Sequence, residues 1–334
     1  MLVATLMLLL LACQRGPQSV VRGFYFWKTQ VTLGPTESQA FEALRCKLLY
    51  IKCFDVVWNQ AAQQPEPVAL AHFGNNLPRQ AQLVPVVFIT NETLQWLSPA
   101  SIDSLAGNIN RLLTSLWQEN ELPATAEVQI DCDWTAGTKN NYFQLLLALQ
   151  KLPFFKGKNT SATIRLHQIK YAAQTGVPPV KKGLLMCYNM GNLQQPQTKN
   201  SIVDVETMAQ YTGNLNQYPL PLDLALPIFD WWVWYRGNHY QGLLHTHALP
   251  TPYSRSQKTM FNADTTINDF TFKAGDWLRY ETATPAALQA VSQHLMQKLP
   301  PGSNRQVVLY HLDAKNLARY ETNTLEAIFN RFGR

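Results

Sequence analysis

Charge is the scarcest ingredient of this 334-residue chain: Asp, Glu, Lys and Arg make up 15% of it, against about 25% in an average soluble protein. Combined with 46% hydrophobic residues, that excludes a disordered or fibrous chain and supplies core for one large domain or two ordinary ones. The 28 Lys and Arg exceed the 22 Asp and Glu, giving net +6, but the cations are scattered along the sequence. Nucleic-acid binding needs a clustered electrostatic footprint, so no nucleic-acid partner is expected. The five cysteines form no CxxC and no Cys/His zinc spacing. Cys53, Cys132 and Cys187 lie inside apolar strand-like runs, and with Cys46 they are expected to be free, buried thiols. His245 and His247 have strand-type metal spacing without an evident third ligand, so neither a metal nor a cofactor is expected.

Long apolar runs are missing as well. None reaches 18 residues, so no bilayer span is expected. The apolar run 2–12 has the length of a signal-peptide core. It ends in Leu10-Leu11-Ala12-Cys13, which resembles the lipobox of bacterial lipoproteins. That resemblance implies removal of residues 1–12, acylation of Cys13 and a membrane anchor. Gln14 in place of an aspartate points by the same analogy to the outer membrane. Residues 13–21 then form a short tether, and 22–334 one folded domain.

What is present is a repeating alternation. Strand-like runs rich in Val, Ile, Leu and aromatics occupy 23–29, 48–57, 83–90, 127–134, 163–168, 183–190, 222–232 and 307–312. Amphipathic stretches with helix-start signals separate them. Thr36 with Gln39 reads as a capping box, Ile102, Leu105, Ile109, Leu112 and Leu116 share one helical face, and Thr284-Pro285 opens a helix reaching about 299. Helix signals are weakest after the second and fifth runs. Eight strands joined by crossovers predict a parallel sheet closed as a single α/β (β/α)8 TIM barrel. The rival is an open doubly-wound sheet, but no GxGxxG follows the first strand. The longest insertion, 237 to about 282, falls after the seventh strand.

Barrel chemistry lies at the C-terminal ends of the strands. Period-2 alternation in the fourth run puts Gln129, Asp131, Asp133 and Thr135 inward, and Val128, Ile130, Cys132 and Trp134 toward the helices. Two stacked aspartates repel, and must find partners or share a proton. They mark either a site or a structural hydrogen-bond network. Arg165, on a face shared with His167, can neutralise them or grip a ligand. Asp55, Trp27, Tyr188, Asn189, Asp230 and Trp231 complete the expected binding set. Trp58, Trp232 and Trp234 can serve as sugar-stacking rings or as core. Asp276 and Glu281, in the insertion, are the carboxylates placed to fold over the mouth.

Ile130-Asp131-Cys132-Asp133-Trp134 resembles the fourth-strand motif D-G-x-D-x-D-W-E of family-18 glycoside hydrolases, the chitinases and related endo-glycosidases. Met186-Cys187-Tyr188-Asn189 resembles their sixth-strand M-x-Y-D, and Leu224 to Phe229 their seventh-strand G-x-P-x-Y. In that family the motif glutamate protonates the glycosidic oxygen, the preceding aspartate holds the substrate's N-acetyl group, and the tyrosine positions it. Here Thr135 stands at the acid position, Val128 at the first aspartate and Asn189 at the sixth-strand acid. A hydroxyl is no general acid near neutral pH, so the standard mechanism is not expected. Trp134-Thr135, Ile164-Arg165-Leu166-His167-Gln168 and Tyr188-Asn189-Met190-Gly191 together resemble a set that recurs in a group of bacterial lipoproteins of unknown function with this barrel.

Two functions follow as expectations. One is an enzyme acting on a glycan, with Asp133 and Asp131 as acid or base and a further carboxylate such as Glu281. The other is a non-catalytic glycan-binding or scaffold lipoprotein on a degenerate hydrolase barrel. Both place a glycan at the mouth and the protein in the bacterial envelope, lipid-anchored through Cys13. Oligomeric state is left open.

Overall fold

The structure is a computed structural model that describes residues 20–78, 80–245, 249, 258–300 and 304–333. Eight parallel strands run through it: β1 (Val20–Phe26), β2 (Leu48–Asn59), β3 (Gln82–Ile89), β4 (Glu127–Cys132), β5 (Asn159–Arg165), β6 (Lys182–Met186), β7 (Leu222–Pro227) and β8 (Arg305–Tyr310). Each pairs with the next, and β8 returns to β1 through Val20↔Arg305 to Phe24↔Leu309. The sheet therefore has no free edge among these strands and closes as the expected (β/α)8 barrel. The open-sheet alternative falls.

Helices cover the outside by the expected periodicity. Ile102–Glu119 buries Ile102, Leu105, Ile109, Leu113 and Leu116, and Pro285–Lys298 is capped by the Thr284 hydroxyl, which accepts from Ala287 N at 3.2 Å. Thr36 and Gln39 form no capping box: Pro35 opens the helix Pro35–Ala43 and Gly34 is its N-cap, because the proline ring presets the first turn one residue earlier. Among the described residues no helix separates β2 from β3. Instead β2 runs long and folds back on Gln64–Val68 as an antiparallel hairpin. After β5 the helices are two short pieces, Leu166–Lys170 and Ala172–Thr175.

The seventh strand ends earlier than its apolar run suggests. Barrel pairing stops at Pro227, after which Ile228 N makes a last bond to Tyr310 O at 2.8 Å. After Ile228 and Phe229 the chain enters a second, antiparallel sheet made of Asp230–Arg236, His239–Leu244, Lys258–Met260 and Asp276–Thr282. The insertion thus begins at Asp230, not at Gly237. Trp232, Leu244, Phe272 and Leu278 give it a core of its own. Among the described residues no helix is long and apolar enough to cross a membrane.

The barrel interior is unusual in being polar along its length. Near the N-terminal ends, Lys182 Nζ lies 2.7 Å from both Glu127 and Asp223, and Ser161 Oγ donates to Glu127 at 2.7 Å. Tyr50 Oη sits 3.0 Å from Glu127 and 2.5 Å from Gln306. Higher up, Tyr25 donates to Gln129. Buried charges persist when paired and hydrogen-bonded, and here each layer supplies partners to the next.

Candidate functional site at the barrel mouth

Gln129 and Asp131 point inward and are buried, while Val128, Ile130 and Cys132 pack outward. Trp134 is buried beneath the helix Lys139–Leu149, stacked on Tyr142 at 5.0 Å. The alternation therefore holds through the fourth strand. Asp131 accepts from Thr163 Oγ1 at 2.5 Å. Its carboxyl is pushed up to about 7, first by burial and then by the charge of Asp133; the Thr163 bond and Arg165 pull it part of the way back.

Asp133, one residue past the strand, is gripped by Arg165 through both Nε and Nη2. This fork-to-fork geometry is the strong form of the pair. Burial disfavours the guanidinium charge, but the hydrogen bonds and charge of Asp133 more than reverse that, so its pKa rises. Arg165 is the last residue of β5; the chain then turns into the helix Leu166–Lys170. Strand alternation therefore stops at Arg165. His167 does not share its face and is exposed on that helix, whereas Gln168 is buried and holds the turn, accepting from Arg165 N at 2.8 Å and donating to Trp134 O at 3.0 Å.

Aromatic rings build the rest of the mouth around Tyr310. Its ring centroid lies 5.1 Å from Tyr188, 5.4 Å from Tyr25, 5.6 Å from Trp27 and 5.7 Å from Phe229. Trp231 joins through Phe229 at 5.3 Å. Tyr188 is 2% exposed, and its hydroxyl has no hydrogen-bond partner. Burial, Tyr310 and Asp131 push that phenol well up, so it is a neutral donor and acceptor. Asn189 follows it, exposed and with φ 53°, a left-handed conformation that asparagine tolerates.

On the opposite wall Asp55 Oδ2 accepts from Lys52 Nζ at 2.9 Å, while Oδ1 is buried without a partner. Lys52 Nζ also lies 5.6 Å from the Trp27 ring centre. The sequence reading missed Lys52 and Tyr310. A lysine inside an apolar run was itself a signal. Its coincidence with Asp55 depends on a register shift between Lys52 and Phe54, a bulge that strict alternation does not foresee.

The acids of the insertion are braced rather than free. Glu281 is 2% exposed and accepts from Ser201 Oγ, from Trp231 Nε1 at 2.7 Å and from Arg279 Nε at 2.7 Å. Asp230 accepts from Tyr280 Oη at 2.6 Å and lies 3.0 Å from Arg319. Asp276 is fully buried, and the hydrogen bonds of Arg236 hold its carboxyl below the usual range. Trp232 and Trp234 belong to the insertion's own core cluster. Thr135 is exposed; its N–H donates to Thr138 Oγ1 at 3.0 Å, starting the next helix. Cys46, Cys53, Cys132 and Cys187 are free and buried. His247 and Cys13 lie outside the described residues, and among those described no group of three His, Cys, Asp or Glu is placed to hold a metal.

A closed (β/α)8 barrel with a paired-aspartate, aromatic-lined mouth and a sheet inserted after β7 is the class these observations define. Solved structures share its fold. The spore cortex-lytic enzyme SleL of Bacillus cereus matches with TM-score 0.54 at 13% identity, covering 96% of this chain and 75% of its own. A chitinase from Chromobacterium violaceum matches with TM-score 0.55 at 10% identity over 94% and 98% of the two chains. A GH18 chitinase from Cycas revoluta in complex with (GlcNAc)4 matches with TM-score 0.53 at 10% identity over 94% and 99%. At these identities the likeness is one of fold: the barrel is similar to those of chitinases and of a spore cortex-lytic enzyme. No protein-family model matches it, and no curated protein resembles it in sequence.

Proposed function

We propose that the C-terminal mouth of the barrel binds a glycan, on a hydrolase-type scaffold that has lost the standard chitinase acid. The observation that carries this reading is Tyr188: a buried hydroxyl without a partner, set beneath Tyr310 and Phe229 and beside the charges of Asp131 and Arg165. Unpartnered buried polar groups are costly, and a ligand hydroxyl or acylamino group removes that cost. Trp27, Tyr310 and Trp231 offer apolar rings to the C–H faces of a sugar. Asp55 Oδ1 and Asn189 add an acceptor and an amide.

Cleavage of a glycosidic bond usually takes a proton-donating carboxyl and a second carboxylate. Thr135 supplies neither, Asp133 is held by Arg165, and Glu281 is braced by three donors. Binding without turnover is therefore the primary reading. One observation favours turnover: Asp131 keeps its proton near neutral pH, the range a general acid needs. Calorimetry with an oligosaccharide panel that includes (GlcNAc)4, run with product analysis, separates the two. Binding without products supports the primary reading, whereas products that disappear in Asp131→Asn support catalysis.

The lipobox-like end of the N-terminal run supports acylation of Cys13 and an envelope location, at the outer membrane by the Gln14 analogy. Mass measurement of the mature protein tests it: a diacylated N-terminal cysteine is expected in the wild type and is absent from Cys13→Ser.

A further inference from the structure

Cations that are scattered along the sequence come together in the fold, because they occupy the loops and the helix end that lead into the strands. In a parallel barrel all those loops lie at one end. Arg45 and Lys47 precede β2, Lys151 and Lys156 precede β5, Lys181 precedes β6 and Lys298 precedes β8. All six are exposed, and none forms an ion pair with a described acid. The loops leading into β2, β5, β6 and β8 contain no Asp or Glu; Glu42, Glu119 and Glu121 are the exposed acids near this end. Around the mouth, at the opposite end, Asp55, Asp133, Asp230 and Asp313 each pair with a cation, Lys52, Arg165, Arg319 and Lys28, so the unpaired positive charge is on the N-terminal face. The molecule is thus polarised along the barrel axis, with a basic N-terminal face.

The chain enters the barrel at that same face. β1 begins at Val20, and the seven residue-to-residue steps from Cys13 to Val20 span at most about 25 Å when extended. A lipid on Cys13 would therefore hold the basic face, not the mouth, against the bilayer. We infer that the N-terminal face of the barrel docks on an anionic phospholipid surface and turns the glycan-binding mouth away from it. This rests on the reading of the chain as an envelope lipoprotein, and it adds a surface to the anchor. Cations near an anionic bilayer are attracted within a Debye length of it, so a tethered barrel with this polarity has one preferred orientation.

The test uses the full chain carrying Cys13→Ser, so that acylation plays no part, with phosphatidylcholine vesicles containing or lacking phosphatidylglycerol. Binding is expected to be stronger with phosphatidylglycerol and to weaken as salt is raised. The triple reversal Arg45→Glu/Lys156→Glu/Lys181→Glu is expected to weaken it by about tenfold or more. Lys139→Glu/Lys199→Glu/Lys315→Glu, which makes the same charge change near the mouth, is expected to leave it within about twofold. An unchanged circular-dichroism spectrum and urea midpoint of the first triple variant show that it is folded. Equal binding to both vesicle types, equal loss in both triple variants, or tighter binding to duplex DNA than to the anionic vesicles overturns the proposal. Failure of acylation alone is read separately, from the mass of the wild-type protein.

Discussion

Arg165 carries the electrostatics of the mouth. It is the cation hydrogen-bonded to Asp133, and its charge also lowers the pKa of Asp131. Arg165→Met leaves two carboxyls facing each other with no counter-charge. Because Asp133 is partly solvated, the loss is expected to be about 2 kcal/mol rather than the full cost of breaking a buried pair. Urea denaturation measures it, and adding Asp133→Asn should restore at least half; a pair that contributes nothing would show no coupling in this cycle. Asp131 gives a pH signature. Its folded-state pKa lies above the unfolded value, so the folded chain takes up that proton first and gains stability as pH falls from about 7 toward 4. His311 does the opposite. Burial holds it down to about 4, against Asp313, so its contribution is lost as pH falls below its ordinary value of 6.5 toward 4. Asp131→Asn keeps the histidine effect and removes the other. Relative to that variant, the wild type should gain about 2 kcal/mol between pH 7.5 and 5; parallel pH profiles would contradict the raised carboxyl. The inward aspartates were legible because alternation fixes which side chains enter a barrel, and Tyr188 because it stands at a strand end in the Met186-Cys187-Tyr188-Asn189 run. Lys52 and Tyr310 were not: one depends on a bulge, and the other looked like one more apolar strand residue.

At the scale of elements, closure of the barrel depends on close approach at Gly23. A Cβ there would lie 2.7 Å from Leu48 Cβ and 2.8 Å from Leu48 O, so Gly23→Ala must push β1 away from β2. A loss of roughly 2 kcal/mol is expected in urea denaturation, with the m-value unchanged; a loss below about 0.5 kcal/mol would mean that the seam yields without strain. All eight strands could be placed from the sequence because each is a short apolar run between helix or turn signals. Their ends were less legible. The run 222–232 reads as one strand, yet Pro227 ends barrel pairing and Asp230 starts a different sheet. The run 163–168 hides a helix start after Arg165, which detaches His167 from the site. Hydropathy is alike in both halves of each run; what separates them is hydrogen bonding, which hydropathy does not report. The Gln64–Val68 hairpin was invisible for a related reason: two prolines in five residues argue against a strand, and an edge position is where they are tolerated.

At the scale of the molecule, a closed barrel filled with paired charges and tyrosines explains how a chain so poor in charge places several acids inside. From Lys182 at the bottom to Arg165 at the top, each buried acid described has a cation or a hydroxyl beside it. The same fold sorts the remaining charge, pairing acids with cations around the mouth and leaving exposed, unpaired cations at the opposite end. That polarity could not be read from the linear sequence, because it arises only when the loops before successive strands are brought to one face. Sequence motifs and fold point the same way, toward the barrel that chitinases share, and the proposal of binding without turnover rests on Thr135 standing where the motif has its acid. The most direct test of the account is calorimetric titration of an oligosaccharide panel into wild type, Trp27→Ala and Tyr188→Phe, with mass spectrometry of the recovered sugars. The account predicts that at least one glycan binds the wild type, that each substitution weakens it by about tenfold, and that the sugar is recovered intact. Binding left unchanged by both substitutions, or no binding to any glycan, would contradict it.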